Sequence, residues 1–136
     1  MHFVDVIVPL SVPNYFTYSV PEELFKDVEV GKRVVVQFGK SRFYTALVNS
    51  IHTSAPKQYA AKDIQAVVDA KAIVTSAQLK LWKWMSTYYQ CHVGEVMNAA
   101  LPSGYKLVSE SVIVLTDKTI DFNSLSDNEY LLAEAL

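Results

Sequence analysis

Residues 31–52 read GKRVVVQFGKSRFYTALVNSIH. In KRVVVQF an extended chain puts Val34, Val36 and Phe38 on one face, and β-branched side chains favour that geometry. FYTALVNSIH is a second β-prone run, and the intervening GKSR (39–42) has turn chemistry. The stretch 32–52 therefore reads as a β-hairpin.

The flanks extend this pattern. Residues 2–8 alternate, with Val4, Val6 and Val8 on one side. Pro9 and Pro13 bracket a loop, Tyr15–Val20 is aromatic and β-prone, and Pro21 ends it. A polar connection runs to Gly31. On the other side TSAPKQYAAK (53–62) is loop-like and IQAVVDA (64–70) reads as a fifth short strand. Five short strands with proline and glycine punctuation predict a small antiparallel barrel or sandwich.

The period then changes. Thr75 with Gln78 forms a capping-box pattern. Leu79, Trp82, Met85 and Tyr89 recur at helical spacing, and Leu81, Trp84 and Tyr88 widen the stripe. An apolar face this wide is expected to be buried against the strands. Val93–Ala100 reads as a second short helix, ended by Leu101-Pro102-Ser103-Gly104. Val108–Thr116 is strand-like, and Asp117–Ser124 is a polar linker. Ser126 and Glu129 form another capping box, and the chain stops inside the apolar run that follows, which reads as a cut through a helix. No internal repeat or low-complexity tract is present.

Composition narrows the function classes. The 136 residues are 51% hydrophobic and 19% charged, enough apolar content for a core. The net charge of −2 argues against a strongly basic nucleic-acid footprint. Its distribution is uneven, however. Residues 1–106 carry eleven basic and eight acidic side chains, net +3; residues 107–136 carry one and six, net −5. That asymmetry suggests two units, divided at 106. No apolar run approaches the ~20 residues of a membrane helix, so no membrane partner is expected. The segment MHFVDVIVPL has neither a basic n-region nor a cleavage site, which argues against a signal peptide. The single cysteine, Cys91, suits a reducing cytoplasm.

Most candidate chemistry has an ordinary explanation. Gly39-Lys40-Ser41 evokes a phosphate loop, but the glycine such a loop needs five residues earlier is Val34. The segment reads better as a turn with a basic tip, where Lys40 and Arg42 could meet phosphate. Cys91 and His92 are adjacent, an unfavourable spacing for one metal, and His2 and His52 are isolated, so no metal site is expected. No nucleophile–base or paired-carboxylate constellation stands out, so the chain is not expected to be an enzyme. Tyr15-Phe16-Thr17-Tyr18 holds three aromatics in four positions, and alternation must aim at least one at solvent or a pocket. An exposed ring beside a basic turn can stack a nucleobase; the competing reading is that the rings fill the core.

The blocks IVPLSVPNYFTYSVPEEL, VEVGKRVVVQFGKSRFYTALV, IQAVVD and LWKWMSTYYQCHVGEVMNAALPSG, in this order and spacing, resemble the N-terminal region of the PriA family of replication-restart helicases. The matching motifs are Phe16-Thr17-Tyr18 with Pro21, Gly31 through Lys40, the 64–69 strand, Trp84 with Tyr88-Tyr89, Gly94-Glu95-Val96 and Leu101-Pro102. The resemblance implies capture of the 3′-terminal nucleotide of a nascent leading strand at a stalled fork. It implies a pocket of Phe16, Thr17, Tyr18, Gly39, Lys40 and position 65. Thr17 stands where the family pattern often has aspartate, and Gln65 where it has a basic residue. The phosphate contact then falls to Lys62, Lys40 or Arg42. The parent protein so implied is an ATP-dependent helicase that also uses magnesium and zinc, none of which this stretch has motifs to bind. Branched fork DNA, other primosome proteins and single-strand-binding protein are the implied partners.

The expectation is an α+β fold: a small antiparallel β-barrel-like domain with a helical hairpin over 1–106, then a linker and the truncated start of a winged-helix domain over 107–136. The expected function is base-tolerant binding of a DNA 3′-OH end. A protein-interaction module docking primosome partners is the alternative, and a small-barrel RNA-binding domain is a further one.

Overall fold

The hairpin forms as its pattern requires. In the computed structural model, which describes residues 1–109 and 126, β3 (Arg33–Phe38) pairs antiparallel with β4 (Arg42–His52). Val34 lies opposite Ala46 and Val36 opposite Tyr44. β4 is long enough to pair again at its far end, with β1 (His2–Ile7), and β1 pairs with β2 (Phe16–Val20). The β1–β4 register shifts between Asp5 and Val6, whose partners are Ser50 and Val48. This bulge sharpens the local twist. With β5 (Ala66–Val67) on β3, the sheet has five strands in the order β2-β1-β4-β3-β5.

The sheet is an open one. Its two edges are joined by hydrogen bonds at one residue: the Ser19 amide donates to the Lys62 carbonyl and the Ile64 amide to the Ser19 carbonyl. Gln65 N–H then donates to the Val35 carbonyl of β3. The expected fifth strand over 64–70 is thus shortened to two residues, because Ile64 and Gln65 divide their backbone bonds between β2 and β3.

Each face of the sheet is buried differently. One carries Val4, Val6, Tyr18, Val34, Val36 and Val48, closed over by Ile64 and Val28. The other, through Ile7 and Leu47, packs on α1 (Ser76–Tyr88) and α2 (Val93–Ala100). Both helices start with side-chain caps, reciprocal at α1. Gln78 N–H donates to Thr75 Oγ1 (3.3 Å) and Thr75 N–H to Gln78 Oε1 (2.8 Å). At α2, His92 N–H donates to Glu95 Oε2 (2.8 Å), so His92 belongs to a helix cap.

The expectation for the face of α1 needs correction. Leu79 and Trp82 are buried and Met85 packs beside them, but Leu81, Trp84, Tyr88 and Tyr89 are exposed. The helix is apolar on more of its circumference than one sheet and one short helix can cover. The exposed rings pack on each other, Trp84 stacking on Tyr88 at 5.1 Å and Tyr88 meeting Tyr89 edge-on at 5.0 Å.

After a 3₁₀ turn (Ser103–Tyr105), Leu107 and Ser109 bond to the free edge of β4 at Thr45 and Phe43. The expected strand beyond 109, the linker, the Ser126–Glu129 cap and the winged-helix start lie outside the described residues, apart from Ser126 itself. Among the described residues no helix is long and apolar enough to cross a membrane.

Candidate nucleic-acid interface

The hairpin tip and β2 approach each other at one end of the sheet. Gly39 opens the turn after β3 with φ +73°, a left-handed conformation that glycine adopts without strain. Beside it, Phe38 meets the Phe16 ring edge to face at 4.9 Å. Between β2 and the hairpin tip lies a pocket of about 250 Å³. Its wall includes Phe16, Thr17, Tyr18, Gly39, Tyr59 and Lys62.

Each side chain of the aromatic run has a separate task. Tyr18 is buried, and its hydroxyl donates to the Gln37 carbonyl (3.0 Å). Burial, with Tyr59 adding to it, pushes its pKa up to about 12, so it stays a neutral donor. Phe16 is half-buried, part core and part pocket wall. Tyr15 packs on the helix side of the sheet, with Lys83 Nζ 5.6 Å from its ring centre.

Thr17 lies between Phe16 and Tyr18, so its side chain projects to the other face. There its hydroxyl donates to Asp5 Oδ1 (2.7 Å). Ser50 Oγ donates to Asp5 Oδ2 (3.0 Å), and His52 Nε2 lies 3.1 Å from Oδ1. Burial alone would raise the Asp5 pKa, but the bonds from Thr17, His52 and Ser50 outweigh it and hold the carboxyl below its ordinary range. What Thr17 presents to the pocket is its peptide group.

One cation lines the pocket wall. Lys62 Nζ donates to the Gly39 carbonyl (3.0 Å), which holds its charge at the pocket rim. Lys40 and Arg42 are exposed on the hairpin tip and are not part of that wall. Gln65 lies outside it too, its amide donating to the Asp63 carbonyl (3.1 Å). Of the sequence-derived candidates, Phe16, Thr17, Tyr18, Gly39 and Lys62 are brought together; Lys40, Arg42 and Gln65 are not. Gln37, Phe38, Tyr59 and Ala60 complete the site without having been named as candidates. The one sequence signal for Tyr59 is a lone aromatic in the 53–62 loop.

A pocket with an aromatic wall, peptide groups bonded to side chains that can exchange them, and one cation suits a single nucleotide unit. Stacking, hydroxyl hydrogen bonds and a phosphate contact are all available within it.

Comparison with known proteins gives the same direction. Residues 5–102 match the family described as 3′DNA-binding domain (3′BD) of PriA. The replication restart protein PriA of Buchnera aphidicola is 28% identical over 102 residues, covering 75% of this chain and 14% of that protein. The PriA of Rickettsia conorii is 26% identical over 123 residues (90% and 18%), and that of Haemophilus influenzae 28% over 119 (88% and 16%). The chain thus spans less than a fifth of the length of these curated relatives. With nearly all of the folded sheet and both helices inside the matched range, the chain belongs to the PriA 3′DNA-binding domain family.

Proposed function

We propose that this chain seats the 3′-terminal nucleotide of a DNA strand in the pocket between β2 and the hairpin tip. The observation that carries this reading is the convergence of Phe16, the Thr17 peptide, Gly39 and Lys62 on one cavity. The Phe16 ring stacks on the terminal base. The Thr17 peptide bonds the 3′-hydroxyl, and Lys62 meets a phosphate. The Gly39 turn, with open space where a Cβ would sit, lets the strand approach closely. Lys40 and Arg42, on the same hairpin, add phosphate contacts farther along the strand. None of these contacts reads a base edge, so any base is accepted. Phosphate contacts are few, which is why a unit of net +3 suffices over residues 1–106.

Within a longer protein this domain would place a replication-restart helicase on branched fork DNA, with ATP, magnesium and zinc serving parts outside this chain. We read residues 1–106 as the binding unit, with barrel-like curvature joined at Ser19, and 107–136 as the linker and start of a winged-helix domain. The setting so implied is bacterial cytoplasm.

The test is a fluorescence-anisotropy titration with short oligothymidylates. Binding should be tighter for a 3′-OH end than for the same strand ending in 3′-phosphate. Equal affinities would sink the pocket reading.

The exposed Trp84, Tyr88 and Tyr89 surface favours a second reading for the helix side, contact with a protein such as a primosome component or single-strand-binding protein. Such binding would change little with salt, whereas DNA binding must weaken as salt rises.

A further inference from the structure

At Thr17, β2 is an edge strand. Phe16, Tyr18 and Val20 alternate with residues whose peptide groups point away from β1. The outward N–H of Ser19 is taken by the Lys62 carbonyl. The outward N–H of Thr17 is taken instead by a side chain: it donates to Tyr59 Oη at 2.9 Å. The same hydroxyl donates back to the Thr17 carbonyl over a long 3.5 Å. Tyr59 belongs to the 53–62 loop, is nearly half exposed (46%), and stands in the wall of the terminal-nucleotide pocket.

A phenol hydroxyl both donates and accepts. So does a sugar 3′-hydroxyl, whereas a phosphate diester oxygen only accepts. At the Thr17 peptide, Tyr59 Oη therefore has the hydrogen-bonding capacity of a strand's terminal hydroxyl. We propose that Tyr59 is a self-gate of the pocket, its hydroxyl holding the donor–acceptor pair at Thr17 that the DNA 3′-hydroxyl takes on binding. The proposal rests on the reading of the pocket as a 3′-end site. A strand must displace Tyr59 Oη before its own hydroxyl can bond, and the exposed loop gives the ring room to leave. A weakly bound internal segment, or a strand ending in 3′-phosphate, has no 3′-hydroxyl to exchange and leaves the gate shut. The gate thus adds selectivity for ends at some cost in affinity.

The experiment compares wild type with Tyr59→Phe, which keeps the ring and removes the competing hydroxyl. Losing one neutral hydrogen bond that must be broken should tighten binding of a 3′-OH oligothymidylate about three- to tenfold. In the DNA-free variant the Thr17 amide should exchange its hydrogen faster, read by NMR, while the thermal midpoint stays close to wild type. If wild type prefers 3′-OH over 3′-phosphate ends but Tyr59→Phe binds no tighter, the gate is overturned and the pocket stands. An unchanged Thr17 exchange rate also overturns the gate. If neither protein distinguishes the two ends, the pocket reading is wrong and the gate falls with it.

Discussion

Phe16 is pulled two ways. Part of its ring belongs to the core beside Phe38, and part lines the pocket. Sequence alternation alone leaves both roles open for the Tyr15–Tyr18 run, since a strand pattern names faces but not what covers them. The structure divides the work: Tyr18 to the core, Phe16 to the rim, Tyr15 to the helix side. Thr17 is a subtler case. Its residue type suggests a hydroxyl offered to DNA, but Asp5 lies directly across the β1–β2 pair and captures it. No local signal marks that partner, 12 positions away in sequence. The sequence leaves Lys62, Lys40 and Arg42 as alternatives to the basic residue missing at 65, and of these only Lys62 stands in the pocket wall, because its loop folds back on Gly39. Because Phe16 has both roles, its test needs two variants. Phe16→Ala should weaken 3′-end binding by about 1–3 kcal/mol, the value of one stacked base. Phe16→Leu keeps apolar volume for Phe38 but offers no flat face, so it should lose most of that affinity with little loss of stability. Anisotropy titrations paired with urea melts separate the effects. Full affinity in Phe16→Leu would remove stacking from the site.

At the scale of elements, local chemistry was the better guide. The hairpin, the Thr75 cap and the span of α2 at 93–100 follow from periodicity and capping residues. The fifth strand and the exposed side of α1 do not, because both depend on partners distant in sequence. α2 owes its position to one such partner. Gly94, in its first turn, sits against the chain leaving β1, and a Cβ there would overlap the carbonyl oxygens of Val8 and Leu10. Helix propensity alone predicts that Gly94→Ala stabilises the protein by about 0.5–1 kcal/mol. The clash is with backbone, which cannot rotate away, and overpacking of this kind costs about 1–3 kcal/mol. The steric effect is the larger. Gly94→Ala should therefore lower the urea midpoint by an amount equivalent to about 1–2 kcal/mol. A rise would mean that α2 is not held against this segment.

Across the whole molecule, the charge total conceals that two of the cations are committed to the fold and not to DNA. Arg33 is buried in β3, where Nε and the terminal nitrogen bond both oxygens of Asp69 at 2.9 and 2.5 Å. It also donates to the Tyr105 carbonyl (3.2 Å) and lies 4.6 Å from the centre of that ring. Lys32 turns inward to the Asp27 carbonyl (2.9 Å) and toward Glu29 (3.6 Å). These two cations hold the fold, and the site is left with Lys62 and the hairpin tip. The Arg33–Asp69 pair ties β3 to the segment after β5 and to the turn after α2, so it joins parts that no single ladder connects. The hydrogen bonds from Arg33 hold the Asp69 carboxyl below its ordinary range, as those on Asp5 do there. A carboxyl with a depressed native pKa contributes its full stability above the unfolded value near ~3.9. That contribution disappears as pH falls through the lower native value. Urea midpoints should thus be nearly flat from about pH 7 to 5 for these groups and fall steeply below about pH 4. Asp69→Asn leaves Arg33 buried without its counter-charge and should cost about 3 kcal/mol at neutral pH. The same variant should show a shallower acid decline than wild type, since one of the two carboxyls responsible is gone. A variant that matched wild type at pH 7 and declined as steeply would show that the pair does not join these elements.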